Sequence, residues 1–252
     1  MPQSILNHPL ISRRYFFPRA GSLPNPTWVE VDGARLACGR HDAGPGTPWL
    51  VHFHGNGETV SDYLPRAPEA WARRGVSTLF AEYRGYGDAT GEPRLVTMLD
   101  DVPALVAATG TPPENTYVYG RSVGSIYAIE AAARVPGLAG VILESGIADV
   151  LERVLLRVLP DEIGATLEAM KAARDARLNH HEKLAGFDGR TLVLHARGDR
   201  TVSLAHAERN AASARDAELE VYAPGDHNTI LAYHHDAIID RVAAFLRSPG
   251  PS

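Results

Sequence analysis

The residues best placed to do chemistry in this chain begin with Gly120-Arg121-Ser122-Val123-Gly124. A β-branched and aromatic run, Thr116-Tyr117-Val118-Tyr119, precedes this stretch, and an apolar helical segment, Val123 to Ala133, follows it. A serine on a strand-to-helix turn, with a glycine two residues away on each side, has the pattern of a nucleophile elbow. The tight turn forces Ser122 into strained backbone angles and lifts its hydroxyl off the sheet. Gly120 and Gly124 lack a Cβ, so strand and helix can close around it. The helix start then aims free N–H groups and a partial positive charge at the same point.

A serine hydroxyl is a weak nucleophile at neutral pH and needs a base, which in turn needs an orienting group. Of the 11 histidines, His227 is best placed. It lies in Gly225-Asp226-His227-Asn228, between the last strand pattern and the final helix, at the sheet edge expected for Ser122. The orienting acid should end another strand on that edge. Asp199 does so, after Leu192-Val193-Leu194-His195-Ala196-Arg197-Gly198. Asp149 is the rival; it opens an apolar helical stretch, where an acid is an ordinary cap, so Asp199 is preferred. Asp226, adjacent to the base, would face the wrong way. A tetrahedral intermediate also needs two N–H donors for its oxyanion. The expected donors are the backbone N–H groups of Val123 and of Asn56, the latter in His54-Gly55-Asn56-Gly57. Gly55 and Gly57 are expected to let the backbone approach the substrate. The competing reading is a glycine-rich turn capping a helix with Glu58.

These side chains need a scaffold. Trp28 to Val31, the turn Asp32-Gly33 and Ala34 to Gly39 form a hairpin pattern. Trp49 to Phe53, Val76 to Tyr83, Thr116 to Tyr119, Gly140 to Leu143, Thr191 to His195 and Leu219 to Tyr222 read as strands. Helical spacing between them covers the stretch from Gly57 to about Arg74, shortened or distorted by Pro65 and Pro68. It also covers Leu95 to Ala108, Ser203 to Arg215 and Thr229 to Leu246. Strands alternating with helices predict an α/β fold with a mainly parallel central sheet, helices on both faces and an antiparallel N-terminal hairpin. Residues 147–187 show only helical patterns, such as Val150 to Leu159 and Ile163 to Leu178. They read as a small helical cap over the carboxyl edge, where such sheets bind ligands.

Composition bounds the rest. A length of 252 residues with 44% hydrophobic residues suits one domain, 1–252, with a sizeable core. A net charge of −5 without a basic run argues against nucleic acid. The single cysteine, Cys38, excludes an intramolecular disulfide and reads as a small buried hydrophobe. No apolar run is long enough to span a bilayer. Ser12-Arg13-Arg14-Tyr15-Phe16-Phe17 resembles a twin-arginine export signal, but prolines and polar residues follow where an apolar stretch is required. It is read as an ordered arm with aromatics packed on the domain, in a cytoplasmic protein.

Other motifs rank lower. Gly85-Tyr86-Gly87-Asp88-Ala89-Thr90-Gly91 follows a strand, but its third glycine falls one residue late for a dinucleotide loop. His180-His181 and His234-His235 lack the spacing of a helical zinc pair and read as solvated or half-buried. Arg121 is expected to pair with a nearby acid, the alternative being an anionic substrate. The stripe Val150, Leu151, Val154, Leu155, Val158 and Leu159 reads as packing of cap on domain, or as the lining of an acyl pocket.

Over roughly residues 28–247 the chain resembles the serine-nucleophile branch of the α/β-hydrolase superfamily, and is most similar there to small Bem46-like serine hydrolases. The resemblance rests on the order Ser122, Asp199, His227, on His54-Gly55-Asn56-Gly57, on Tyr83-Arg84-Gly85-Tyr86-Gly87 and on Gly198-Asp199-Arg200-Thr201-Val202. It implies hydrolysis of esters, thioesters or amides of small-molecule or acyl substrates. The residues themselves call for no metal or organic cofactor. A peptidase or an acyltransferase would use the same three side chains, and a non-catalytic binding module would be expected to lack one of them.

Overall fold

The computed structural model describes residues 4–248. Thr27–Val31 (β1) and Ala34–His41 (β2) pair antiparallel around Asp32-Gly33, with Val31 opposite Ala34. β2 then lies antiparallel to Ser77–Ala81 (β4). The remaining strands are Trp49–Phe53 (β3), Thr116–Arg121 (β5), Gly140–Glu144 (β6), Arg190–Ala196 (β7) and Ala217–Tyr222 (β8). Together with β4 they run parallel, and the whole sheet has the order β1-β2-β4-β3-β5-β6-β7-β8. This is the mixed, mainly parallel α/β sheet that the alternating pattern predicts.

Parallel strands buried on both faces must be apolar on both, and the side-chain period of two divides them between two cores. In β6, Val141 and Leu143 join one core while Ile142 joins the other. In β7, Val193 faces the first core, and Leu192 and Leu194 the second. The first core is covered by Thr97–Ala107 (α4) and Gly124–Arg134 (α5), whose Ile126, Tyr127 and Ile129 are fully buried. The second is covered by Ala67–Ala72 (α3) and Ile230–Arg247 (α10). Strand β3 is flanked by β4 on one side and β5 on the other. The direction of winding therefore reverses at β3, and a crevice opens beyond its carboxyl end.

Three local expectations are corrected. The helical stretch expected from Gly57 to Arg74 is two short helices, Val60–Tyr63 (α2) and α3, separated at Pro65. The N-terminal arm contains a helix, Pro9–Tyr15 (α1), that the pattern did not suggest. Its signals were local: proline at the first helical position, and a His8 ring nitrogen accepting the Leu10 N–H at 3.1 Å. Asn7 ties the arm to α4 by accepting the Val96 N–H at 2.8 Å, and Tyr15 and Phe16 are buried while Phe17 is exposed. His180 is neither solvated nor half-buried but fully enclosed, with Nδ1 donating to the Ile147 carbonyl at 2.8 Å.

Residues 147–187 hold no strand. They contain Val150–Leu155 (α6), a 3-10 turn at Pro160–Ile163, Leu167–Arg177 (α7) and His180–Ala185 (α8). α8 packs on α5 and on Leu204–Ser213 (α9). In the hydrophobic stripe Val150, Leu151, Val154 and Val158 are buried, whereas Leu159 is exposed. Among the described residues, no helix is long and apolar enough to cross a membrane.

Candidate active site

Ser122 follows β5 directly and has φ +52°, in the left-handed region that β-carbons disfavour by about 1–2 kcal/mol. The turn is held on both sides. Ser122 N–H donates to the Glu144 carbonyl at 2.9 Å, continuing the parallel ladder one residue past the strand. A Cβ on Gly124 would overlap the Phe53 carbonyl oxygen, so α5 can start this close to β3 only with glycine there.

The three side chains named from the sequence meet at the carboxyl edge of the sheet. His227 follows β8, and its Nε2 lies 2.9 Å from Ser122 Oγ. Its Nδ1 lies 2.7 Å from Asp199 Oδ2, on the loop after β7. All three residues are buried. Asp199 is itself positioned by the backbone: Oδ1 accepts the N–H groups of Thr201 and Val202, each at 2.8 Å, which leaves Oδ2 for the imidazole. Burial pushes the Asp199 carboxyl up, but the hydrogen bond and charge of His227, aided by the Val202 N–H, hold it below the usual carboxylate range. Asp149 lies outside this group. It caps α6 through Leu151 N–H at 2.8 Å and pairs with Arg174 at 2.5 Å. Asp226 caps its own turn through the N–H groups of Asn228 and Thr229.

Val123 and Asn56 both line the pocket beside Ser122. Among the described residues, neither backbone N–H donates a hydrogen bond. The Asn56 side chain locks its loop in place: Oδ1 accepts from Phe17 N–H at 2.9 Å and from Tyr86 O–H at 2.8 Å. Below it His54 Nε2 meets Glu82 at 2.7 Å, and Glu82 also accepts the Val60 N–H at 3.0 Å.

A family model described as serine aminopeptidase, S33, matches residues 47–171. The uncharacterized protein Rv2307c of Mycobacterium tuberculosis is 27% identical, over 93% of this chain and 86% of its own. Alpha/beta hydrolase domain-containing protein 17B of Homo sapiens is 31% identical over 45% of this chain and 41% of its own. Among solved structures, the esterase Pf2001 of Pyrococcus furiosus superposes with a TM-score of 0.71 at 18% identity, covering 92% of this chain and 98% of that one. Est1E of Butyrivibrio proteoclasticus, with ferulic acid bound, gives 0.72 at 17% identity, covering 87% and 97%. The chain belongs to the α/β-hydrolase superfamily.

Around the candidate site of this α/β-hydrolase, Arg121 meets nearby acids, as its place in the elbow leads one to expect. Arg121, within the elbow, pairs with two acids at once, Glu58 and the fully buried Glu144. Its Nη2 also donates to the His227 carbonyl at 2.9 Å, so the residue that precedes the serine anchors the loop that carries the histidine. Burial disfavours the Arg121 charge, but Glu144 and Glu58 more than offset it and keep the guanidinium protonated. The arginine is thus engaged, and the alternative of an anionic substrate on Arg121 loses its basis. Gly55 is corrected as well. A Cβ there would strike Glu58 and the Arg121 guanidinium, so this glycine makes room for the ion pair rather than for a substrate.

The pocket at Ser122 encloses about 210 Å³. Tyr15 and Phe17 enter it from the N-terminal arm, Ile147, Arg153 and Arg157 from the 147–187 segment. Neither arginine was singled out from the sequence. Arg153 lies in α6 and Arg157 in the turn just after it, so the four-residue spacing within the hydrophobic stripe was their signal in the sequence.

Proposed function

We propose that this protein is a serine hydrolase of carboxylic esters or thioesters, working through Ser122, His227 and Asp199. One observation carries the reading: the buried relay in which His227 Nε2 stands 2.9 Å from the serine hydroxyl while Nδ1 stands 2.7 Å from the carboxylate. Asp199, held ionised, accepts Nδ1–H and selects the tautomer with a free lone pair on Nε2. That lone pair takes the hydroxyl proton as Ser122 Oγ attacks the substrate carbonyl carbon. The carbonyl oxygen becomes an oxyanion facing the free N–H groups of Val123 and Asn56. Collapse of the adduct expels the alcohol or thiol, which receives its proton from His227 and leaves an acyl-serine. Water activated by the same imidazole then releases the acid. In this reading the 147–187 segment caps the site and shapes the acyl pocket.

A peptidase reading is raised by the description of the matching family model. An aminopeptidase must hold its substrate's ammonium group with an acid. The acid in the pocket, Glu58, is spent on Arg121, and the charged groups beside it are arginines, which repel an ammonium. The ester reading is therefore preferred. Its test is labelling with a fluorophosphonate probe, followed by mapping of the modified peptide. Labelling of Ser122, slowed while excess aryl ester is present, is the expected result. An unlabelled protein that also leaves short aryl esters intact would end the proposal.

A further inference from the structure

Although the chain carries a net charge of −5, the mouth of the candidate site is positive. Resting on the hydrolase reading above, we infer that the natural substrate is an ester or thioester that bears its own anionic group, a carboxylate or a phosphate, held by Arg153 and Arg157.

Four other arginines nearby are already neutralised. Arg121 is paired with Glu58 and Glu144, Arg14 with Glu162 at 2.8 Å, Arg209 with Glu152 at 2.8 Å, and Arg174 with Asp149 at 2.5 Å. Glu58, Glu162, Glu152 and Asp149 are thereby engaged, so none of these four is free for Arg153 or Arg157. Among the described residues, Arg153 and Arg157 have no acid within ion-pair distance, although both line the pocket that holds Ser122 and His227. Arg153 is half-buried and makes no hydrogen bond among the described residues. Arg157 lies over the Phe17 ring at 4.9 Å and reaches only the Arg14 carbonyl, at 3.4 Å. The buried Tyr15 lines the same pocket as both guanidinium groups.

Two unpaired guanidinium groups lining one small cavity repel each other, and the half-buried Arg153 is also partly desolvated, whereas Arg157 is exposed. A planar carboxylate or a phosphate relieves both costs, because guanidinium N–H groups match its oxygens in pairs. A neutral acyl chain relieves neither. The pocket volume of about 210 Å³ leaves space for a short chain between the scissile carbonyl and the anion.

The test compares two substrates that differ only in charge: the para-nitrophenyl monoester of adipate, and the same compound with its free carboxyl capped as a methyl ester. Adipate is long enough that its carboxylate does not attack the ester from within. The anionic ester is expected to have the larger kcat/KM by about tenfold, mostly through KM, with the preference shrinking in about 1 M NaCl. In the double variant Arg153→Gln/Arg157→Gln the ratio should fall towards one, and Arg153→Lys/Arg157→Lys should restore part of it. A phosphonate-ended ester of equal length distinguishes the two anions: the better substrate of the two names the natural group. Both rates report on the same active molecules, so a partly unfolded variant does not alter their ratio. Equal use of charged and neutral esters by the wild type, or a preference that survives the double Gln variant, would overturn this inference and leave the hydrolase reading standing. Failure of both esters and of fluorophosphonate labelling would remove that reading itself.

Discussion

Two neighbouring strand ends in this molecule share a backbone and differ in consequence. Ser122 follows β5 with φ +52°, and Ser145 follows β6 with φ +49°; they are the two non-glycine residues with positive φ among the described residues. Each extends the sheet by one bond, Ser122 N–H to the Glu144 carbonyl and Ser145 N–H to the Leu194 carbonyl, both at 2.9 Å. Each is followed within two residues by glycine. There the likeness ends. Ser122 opens directly onto the N-terminus of α5 and meets the His227 imidazole. Ser145 leads into a loop, and its hydroxyl is fully buried without a hydrogen bond. It does lie close enough to Asp199 to help hold that carboxyl low. Strain at a strand end is therefore not by itself the mark of a nucleophile. In the reading proposed above, the mark is strain that delivers an oxygen to both a helix start and an imidazole.

The sharpest break of this comparison is removal of each hydroxyl in turn. Ser122→Ala should lower ester turnover about 10⁴-fold or more, whereas Ser145→Ala, acting only through Asp199, should cost no more than about tenfold. Steady-state kinetics on an aryl ester measures both, and equal losses would erase the distinction. The glycines come next. Gly124→Ala forces a carbon into the Phe53 carbonyl and should destabilise the protein by about 3 kcal/mol or more in urea unfolding. Gly146→Ala meets the Leu143 Cβ at 3.1 Å and the Asn210 Nδ2 at 3.2 Å, tight contacts rather than an overlap, so about 1 kcal/mol is expected.

A smaller effect follows from pH. Beneath the second strand end, burial holds His180 neutral and lowers its pKa to about 3; burial, with the positive charge of nearby groups, does the same to His52. Between about pH 6.5 and that value the unfolded chain binds a proton that the folded protein refuses. Stability contributed at neutral pH is thus lost as pH falls below about 6.5, by about 1.4 kcal/mol per pH unit for each histidine. Thermal unfolding between about pH 7.5 and 5.5 should show the decline. His180→Gln should flatten it, and an unchanged slope in that variant would refute the assignment. The smallest expected change is a gain: Ser145→Gly relieves a strained φ and should stabilise by about 1 kcal/mol or less, seen as a higher Tm.

Legibility in the sequence followed range. The hairpin at Asp32-Gly33 and the strands of the sheet could be read because period-two alternation and apolar runs are local signals. Ser122 was legible because its elbow compresses strand, strain and helix start into five residues. Asp199 and His227 were legible as loop residues after strands, and Asn56 and Val123 as neighbours of the Ser122 pocket by their place in the chain. Glu144 was not, because nothing near β6 announces that its carboxylate pairs with an arginine 23 positions away in the chain. The helix at Pro9–Tyr15 was not legible because seven residues are too few to show an amphipathic repeat, which leaves only the cap at His8-Pro9 as a signal. Arg153 and Arg157 were overlooked because unpaired charge is a property of surroundings.

By itself, the sequence determined the alternation of strands and helices, the hydrophobic positions that sort into two cores, and the residue types able to make one alcohol reactive. Those properties depend on covalent geometry and on neighbours a few residues away. Only the tertiary structure decided that an arginine in the elbow holds the histidine loop, that the N-terminal arm walls the pocket, and that two guanidinium groups there lack a counter-charge. Those outcomes depend on which distant charges and surfaces share a low-dielectric space, and only the folded chain brings them together.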